Sequence, residues 1–177
     1  MIDLRLKQAV SSPSAFDTKT LDRFANAMQT ALAKQVPVDP GLLDAAGKRF
    51  LEASGENSAA WQPAMNVLNY KSSIGSIQYA DARALPKSNC MGVPTSGGMG
   101  LAVSDSRFMG CFQELDHVEW KDVTFLDATI IYRGGPVKLE NVQFKDCRFL
   151  IDYSAAGREL GKTLLSSTQV NISLPNH

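Results

Sequence analysis

The chain has 177 residues, of which 44% are hydrophobic and 20% charged, values that are typical of a globular protein with one domain or two small ones. Eighteen Lys and Arg residues balance eighteen Asp and Glu residues. A neutral chain has no overall field that would attract nucleic acid or anionic lipid, so neither partner is expected. No apolar run is long enough to cross a bilayer, and the alternating start of the chain (Ile2, Leu4, Leu6) predicts an edge strand rather than a signal peptide.

The cysteines indicate a compartment. Cys90, Cys111 and Cys147 are odd in number and widely spaced, a pattern that suits reduced thiols better than a disulfide framework. A cytoplasmic protein is therefore expected. No histidine stands at a recognisable spacing from these thiols, and no cofactor is predicted.

Three amphipathic helices are predicted within residues 1–72. The first runs from about Asp17 to Lys34, the second begins at the pair Asp39–Pro40, and the third lies between about Asn57 and Lys71. Each has apolar residues at helical spacing, and an acid or proline marks two of the starts. Together with the edge strand they form one predicted unit.

Residues 73–177 are predicted to form a second region that shares a core with the helices. Glycines and prolines between residues 86 and 100 indicate turns or a loop. A short helix or turn is expected over residues 154–165. Candidate strands lie at Ile74–Tyr79, Leu101–Val103, Phe108–Phe112 and Val170–Leu174.

The most regular pattern lies between His117 and Tyr153, where the segment DVTFLD (122–127) is matched nineteen residues later by NVQFKD (141–146). Large apolar residues recur every five positions, and a smaller apolar residue stands two positions before each of them. A helix cannot place residues five apart on one side, because five steps of 100° overshoot a full turn by about 140°. A chain that bends at every fifth residue can. The large set is Trp120, Phe125, Ile130, Leu139, Phe144 and Phe149, and the small set is Val118, Val123, Ala128, Val137, Val142 and Cys147.

This pattern resembles the pentapeptide-repeat proteins and, more broadly, right-handed parallel β-helices. The resemblance implies that both sets point into a narrow coil and that residues nineteen apart stack in adjacent coils. The outward pairs so predicted are Glu119 with Lys138, Lys121 with Glu140 and Arg133 with Asp152, which attract, and Asp127 with Asp146, which repel. The predicted fold class is α+β, with an N-terminal three-helix unit packed on a short right-handed parallel β-helix of two to three coils.

Two motifs are weak matches to known sites. The segment AGRELGKT (156–163) approaches a phosphate-binding loop, but it begins with Ala156 and only fourteen residues follow it, so helix packing is the preferred interpretation. Asp116 and Glu119 flank His117, but the chain has only one other histidine. A solvated loop is therefore favoured over a metal site.

A catalytic hypothesis rests on three carboxylates. Asp127, Asp146 and Asp152 are the acids that a small carbohydrate-active enzyme would use if they lay within about 10 Å of one another on the β-helix face. Enzymes of that kind have a groove along many coils, and this chain has room for few. The carbohydrate-active enzyme is therefore kept as the alternative function.

The corner between the two repeats supports the preferred hypothesis. Residues 132–136 (YRGGP) predict a tight turn, and the second interpretation is an interaction corner made by Tyr132 and Arg133. The preferred function is a non-catalytic protein–protein interaction or scaffold module with a protein partner. A homo-oligomer formed through the β-helix edges is a further option. The resemblance implies a bacterial source and a narrower hypothesis of toxin neutralisation, whereas mimicry of a DNA duplex would need an acidic face that a neutral chain does not predict.

Overall fold

A computed structural model of the protein describes residues 7, 11, 17–34, 36–75, 87–88, 90 and 100–175. The chain divides into two compact units, Met1–Lys71 and Ser72–His177. The architecture is α+β, with helices in the first unit and parallel sheets in the second. Within the described ranges, no helix is both long enough and apolar enough to span a membrane. The predicted edge strand at Ile2–Leu6 and the predicted loop at residues 92–99 lie outside these ranges.

The three predicted helices are confirmed as α1 (Thr18–Ala33), α2 (Pro40–Ala53) and α3 (Trp61–Gly75), the last preceded by a 3₁₀ turn. Asp17 and Asp39 cap the first two, and each carboxylate accepts a bond of 2.8 Å from a backbone N–H three residues later. Such bonds satisfy amide groups that have no partner inside a helix.

The prediction of a strand that starts at Ile74 is wrong for that residue, because Ile74 belongs to α3. No helix-stopping residue occurs before Gly75, so the helical backbone ladder continues through one β-branched residue at a small cost. Ile77 and Tyr79, the rest of that candidate strand, lie outside the described residues.

The second unit contains the strands. Their bounds are β1 (Lys87–Ser88), β2 (Leu101–Ser104), β3 (Arg107–Met109), β4 (Phe112–Glu114), β5 (Val118–Lys121), β6 (Thr124–Leu126), β7 (Thr129–Tyr132), β8 (Val137–Lys145), β9 (Arg148–Ile151) and β10 (Gln169–Leu174). A curled sheet has the order β1-β3-β6-β8-β5-β2, and a second sheet has the order β4-β7-β9. All pairs are parallel except that of β10 with β8.

The strands form three stacked rows, which are residues 101–115, 118–132 and 137–151. The second and third rows pair at an offset of nineteen, as Trp120 opposite Leu139 shows. The predicted register is therefore confirmed. The first row pairs with the second at an offset of seventeen, with Phe108 opposite Phe125. The candidate strands at Leu101 and Phe108 are thus part of the same stack.

Residues with positive φ bend each row at five-residue spacing. They are Asp105 (49°) and Gly110 (66°) in the first row, Asp122 (52°) and Asp127 (46°) in the second, and Asn141 (55°) and Asp146 (53°) in the third. Short polar side chains tolerate this left-handed conformation better than most others. The bends therefore explain why the repeat carries Asp or Asn at both of its ends.

The predicted inward residues form the core between the rows. All twelve are buried except Phe144, which is half-buried. The rings of Phe108, Phe125 and Phe144 stack in a column with centroid separations of 5.3 and 5.2 Å. Each row therefore buries its apolar residues against the next, as stacked repeats require.

Helix α4 (Ala155–Ser166) follows the third row and leads into β10, which pairs with β8. The expected helix or turn at this position is confirmed. The phosphate-loop-like segment lies inside α4 and begins just after the N-cap residue Ser154. A Cβ added at Gly157 would lie 2.3 Å from the backbone oxygen of Asp152, so the glycine permits a close approach of helix and strand.

Two of the three cysteines form a disulfide, Cys90–Cys111, with a Cα separation of 6.0 Å. The expectation of three reduced thiols is therefore wrong for these two. Their separation of 21 residues is wide along the chain, but β1 pairs with β3 at an offset of twenty residues, which brings the two together across the stack. Cys147 is free and buried, and burial raises the pKa of its thiol to about 12.

Removal of this disulfide is expected to destabilise the second unit. A crosslink between cysteines 21 residues apart lowers the conformational entropy of the unfolded chain. In the loop-entropy model this stabilises the folded state by about 3 kcal/mol. Dithiothreitol should lower the melting temperature of the wild type and leave that of the Cys90→Ser/Cys111→Ser double variant unchanged. Equal melting temperatures for the wild type in both conditions would contradict the prediction.

Candidate functional site

Two of the three carboxylates of the catalytic hypothesis occupy bends. Asp127 and Asp146 are exposed residues at stacked bends, and both have positive φ. Partial burial, and then the neighbouring charge of Asp127, raise the pKa of Asp146. Asp152 is exposed at the end of β9, where its backbone N–H donates to the oxygen of Tyr132 at 2.9 Å. The structure thus brings Asp127 and Asp146 together because both occupy stacked positive-φ bends, and it places Asp152 apart from them, just after the end of β9.

Replacing Asp146 with asparagine is expected to stabilise the protein at neutral pH by less than about 1 kcal/mol. The folded-state pKa of Asp146 is raised above the ordinary value of 3.8. The stability that comes from protonated Asp146 is therefore fully present below pH 3.8, and it is lost as the pH rises through the folded-state pKa. The gain from Asp146→Asn should therefore vanish at about pH 3.

Asp105→Asn is the matched control, because Asp105 shares the left-handed conformation. Any gain from the preference of asparagine for that conformation should be similar in the two variants at every pH. Thermal melts between about pH 3 and pH 7 measure both. A gain from Asp146→Asn that is independent of pH would show that charge plays no part in it.

The outward face of β5 and β8 carries a ladder of ion pairs. Lys138 pairs with Glu119, and Lys121 lies 2.9 Å from Glu140. Both predicted pairs are confirmed. Hydrogen bonds to the partner carboxylates raise the pKa of Lys121 and Lys138, and the bond from Lys121 lowers the pKa of Glu140. The face is exposed and of mixed charge, so it presents no continuous acidic surface.

The third predicted ion pair is wrong. Arg133 lies 3.2 Å from Glu114 instead of pairing with Asp152. Arg133 follows β7, and β7 pairs with β4, the strand of Glu114, at the offset of seventeen. Strand β7 also pairs with β9 of the third row, so Arg133 lies between the two rows, and its side chain pairs with the first.

The predicted interaction corner is divided between core and surface. Tyr132 is fully buried, and its hydroxyl donates to the oxygen of Gly135 at 2.8 Å. Burial first, and then the charge of Asp116, raise its pKa to about 12. Its ring is not available as an exposed interface group, because strand alternation points Tyr132 inward beside Ile130. Arg133, the next residue, is exposed.

Asp116 holds this corner, and the sequence analysis did not find that role. Its buried carboxylate accepts bonds from the backbone N–H groups of Gly135 at 2.5 Å and Arg133 at 2.9 Å. His117 has a φ of 63°, and its backbone N–H donates to Pro136 at 2.6 Å. The expected solvated loop is therefore an ordered turn. The nineteen-residue shift aligns Asp116 with Gly135, whereas the offset of seventeen that aligns it with Arg133 is visible only in the structure.

The outward side of the second sheet forms an exposed apolar surface, here named the β4–β7–β9 face. Phe112 is 73% exposed and Leu150 is 43% exposed, with the half-buried Ile131 between their strands. The inward residues of the same strands (Gln113, Ile130 and Phe149) are buried. The face comprises Phe112, Thr129 and Arg148 in one line across the strands and Glu114, Ile131 and Leu150 in the next.

This face was not predicted from the sequence, although two of its strands carry a signal for it. Strand β7 reads TIIY and β9 reads RFLI, so apolar residues occur on both sides of each strand. Strand β5 reads VEWK and alternates strictly. Apolar residues on the outward side of a strand indicate a surface that is covered by something else.

No family model, curated protein or solved structure matches this chain.

The candidate functional site is therefore defined by the geometry of the chain itself. Within the part of the chain that the structure describes, no three His, Cys, Asp or Glu side chains are grouped so that they could hold a metal ion. The β4–β7–β9 face carries an aromatic ring, two aliphatic side chains, a threonine, an arginine and a glutamate on three paired strands. Contiguous apolar surface of this kind marks binding sites on globular proteins, whereas single exposed apolar residues are ordinary.

Proposed function

We propose that this protein is a non-catalytic interaction module that binds a protein partner through the β4–β7–β9 face. The observation that carries the proposal is the exposure of Phe112 and Leu150, with the half-buried Ile131, on the outward side of three paired strands. Covering an exposed phenylalanine or leucine contributes about 1.5–3 kcal/mol to an association. A folded sheet also presents these side chains with little further loss of conformational entropy.

We further propose that the three rows are coils of a short right-handed parallel β-helix, as the resemblance to pentapeptide-repeat proteins implies. Parallel pairing at offsets of seventeen and nineteen supports this assignment, as do the bends at five-residue spacing. In such a fold each coil supports the next, which suits a scaffold role.

Two narrower proposals concern setting and partner. The Cys90–Cys111 disulfide supports an oxidising compartment rather than the cytoplasm, because disulfides persist mainly where thiols are not kept reduced. A bacterial toxin is the partner class that the family resemblance suggests. The mixed-charge ladder on β5 and β8 does not favour mimicry of a DNA duplex.

Affinity capture with three forms of the full chain tests the proposal. The immobilised wild type and the variants Phe112→Ser and Met109→Ser are exposed to extracts of the native host. Met109 is 46% exposed on another sheet, so Met109→Ser is a matched loss of exposed apolar surface. A specific protein should bind the wild type and Met109→Ser and should be lost from Phe112→Ser. Retention by Phe112→Ser would overturn the assignment of the face.

The carbohydrate-active alternative has less support. The positive-φ bends account for the acids at positions 127 and 146. Partial burial and the neighbouring charge of Asp127 account for the raised pKa of Asp146, so neither feature requires a catalytic role. Hydrolysis of a sugar polymer by the wild type, abolished in Asp127→Asn, would favour this alternative over the interaction module.

A further inference from the structure

We infer that the occupant of the β4–β7–β9 face is a second copy of this chain, in a dimer whose two-fold axis runs parallel to β7. The inference rests on the proposed function and names the partner for the same face. It is carried by the order of the outward side chains across the three strands, because a two-fold interface must be complementary to itself.

The register of the sheet fixes which side chains would meet. Strand β7 is central, and β4 and β9 flank it in parallel. A two-fold axis along β7 places β4 of one copy over β9 of the other and keeps each line of side chains over the same line of the partner. Phe112 then lies over Arg148 of the second copy, and Ile131 lies over its own counterpart. Leu150 lies over the aliphatic part of Glu114.

The charges favour this axis. Arg148 is exposed and forms no ion pair within the described ranges, so its guanidinium is available to stack on the face of a phenylalanine ring. The carboxylate of Glu114 is already directed to Arg133 at 3.2 Å. A two-fold axis across the strands would instead place Arg148 over Leu150, where the guanidinium would lose its water to an aliphatic side chain and gain no ring to stack on.

The size of the face sets the expected strength. Strands lie about 4.8 Å apart, so the three strands span about 10 Å between their outer axes. The area is well below the roughly 800 Å² per partner of a standard stable interface, and a weak, reversible dimer is expected. Sedimentation equilibrium of the full chain from about 5 µM to about 500 µM covers the corresponding range of dissociation constants.

Opposite substitutions at one position provide the sharpest test. Phe112→Glu places a carboxylate opposite Arg148 of the second copy and should keep dimerisation within about threefold of the wild type. Phe112→Arg places like charges together and should weaken it at least about tenfold. The double variant Phe112→Arg/Arg148→Glu should restore dimerisation, because position 112 then carries the positive charge and position 148 of the second copy the negative one. Met109→Glu and Met109→Arg are the matched controls on another sheet and should leave dimerisation unchanged.

The outcomes separate this inference from the proposed function. Equal loss in Phe112→Glu and Phe112→Arg, or no restoration in the double variant, would overturn the two-fold arrangement. A wild type that is monomeric throughout the range would also overturn it. The proposed function then stands if capture of a different protein still depends on Phe112, and it fails if capture is independent of Phe112. Unchanged circular dichroism spectra establish that each variant is folded.

Discussion

Replacing Phe125 with alanine is expected to lower the free energy of unfolding of the second unit by about 3–5 kcal/mol. The ring is 0% exposed, lies between Phe108 and Phe144 in the aromatic column, and meets the edge of Trp120 at a centroid separation of 5.2 Å. Alanine would leave a cavity that backbone-paired rows on both sides prevent from closing. Urea unfolding of the full chain, followed by near-ultraviolet circular dichroism, measures the change.

Phe112→Ala is the matched control, since it removes the same ring from a position that is 73% exposed. Its expected cost is less than about 0.5 kcal/mol, as for most surface substitutions. Similar costs for the two variants would show that the aromatic column does not carry the stability of the rows.

Replacing Asp116 with alanine is expected to cost about 3–5 kcal/mol, because two charge-assisted hydrogen bonds contribute about 1.5–3 kcal/mol each. The carboxylate is buried and accepts from the backbone N–H groups of Gly135 and Arg133. Without it, both donors at the corner lose their acceptor. The change should appear in urea unfolding and also as faster hydrogen exchange at these two amides.

Asp152→Ala tests the same chemical change at an exposed acid near the same corner. It should cost less than about 0.5 kcal/mol and leave exchange at Gly135 and Arg133 unaltered. If Asp116→Ala destabilised no more than Asp152→Ala, the carboxylate of Asp116 would not be the support of the turn.

Much of the second unit could be predicted because its pattern is local and repeated. The five-residue spacing identified Trp120, Phe125 and Ile130 as inward residues, and all three are buried. The nineteen-residue shift also predicted two of the outward ion pairs between the second and third rows, Lys138 with Glu119 and Lys121 with Glu140. These predictions depend only on alternation and on a bend at a fixed interval.

The prediction failed where the repeat is imperfect. The first row is offset by seventeen residues and places the polar Gln113 opposite Ile130, so its membership in the stack was not evident from the sequence. The nineteen-residue shift likewise paired Arg133 with Asp152, but the arginine meets Glu114 of the first row.

The sequence by itself determined the three helices, the inward column and the bends, because helical spacing, alternation and the tolerance of Asp and Asn for positive φ are local properties. The tertiary structure decided which segments meet across rows: the Cys90–Cys111 disulfide, the hold of Asp116 on the corner, and the exposure of Phe112 and Leu150 on one side of the sheet of β4, β7 and β9. Each depends on the offset between stacked segments, which one row of residues does not specify. Only the assembled sheet places Phe112, Ile131 and Leu150 together on the outward side of β4, β7 and β9.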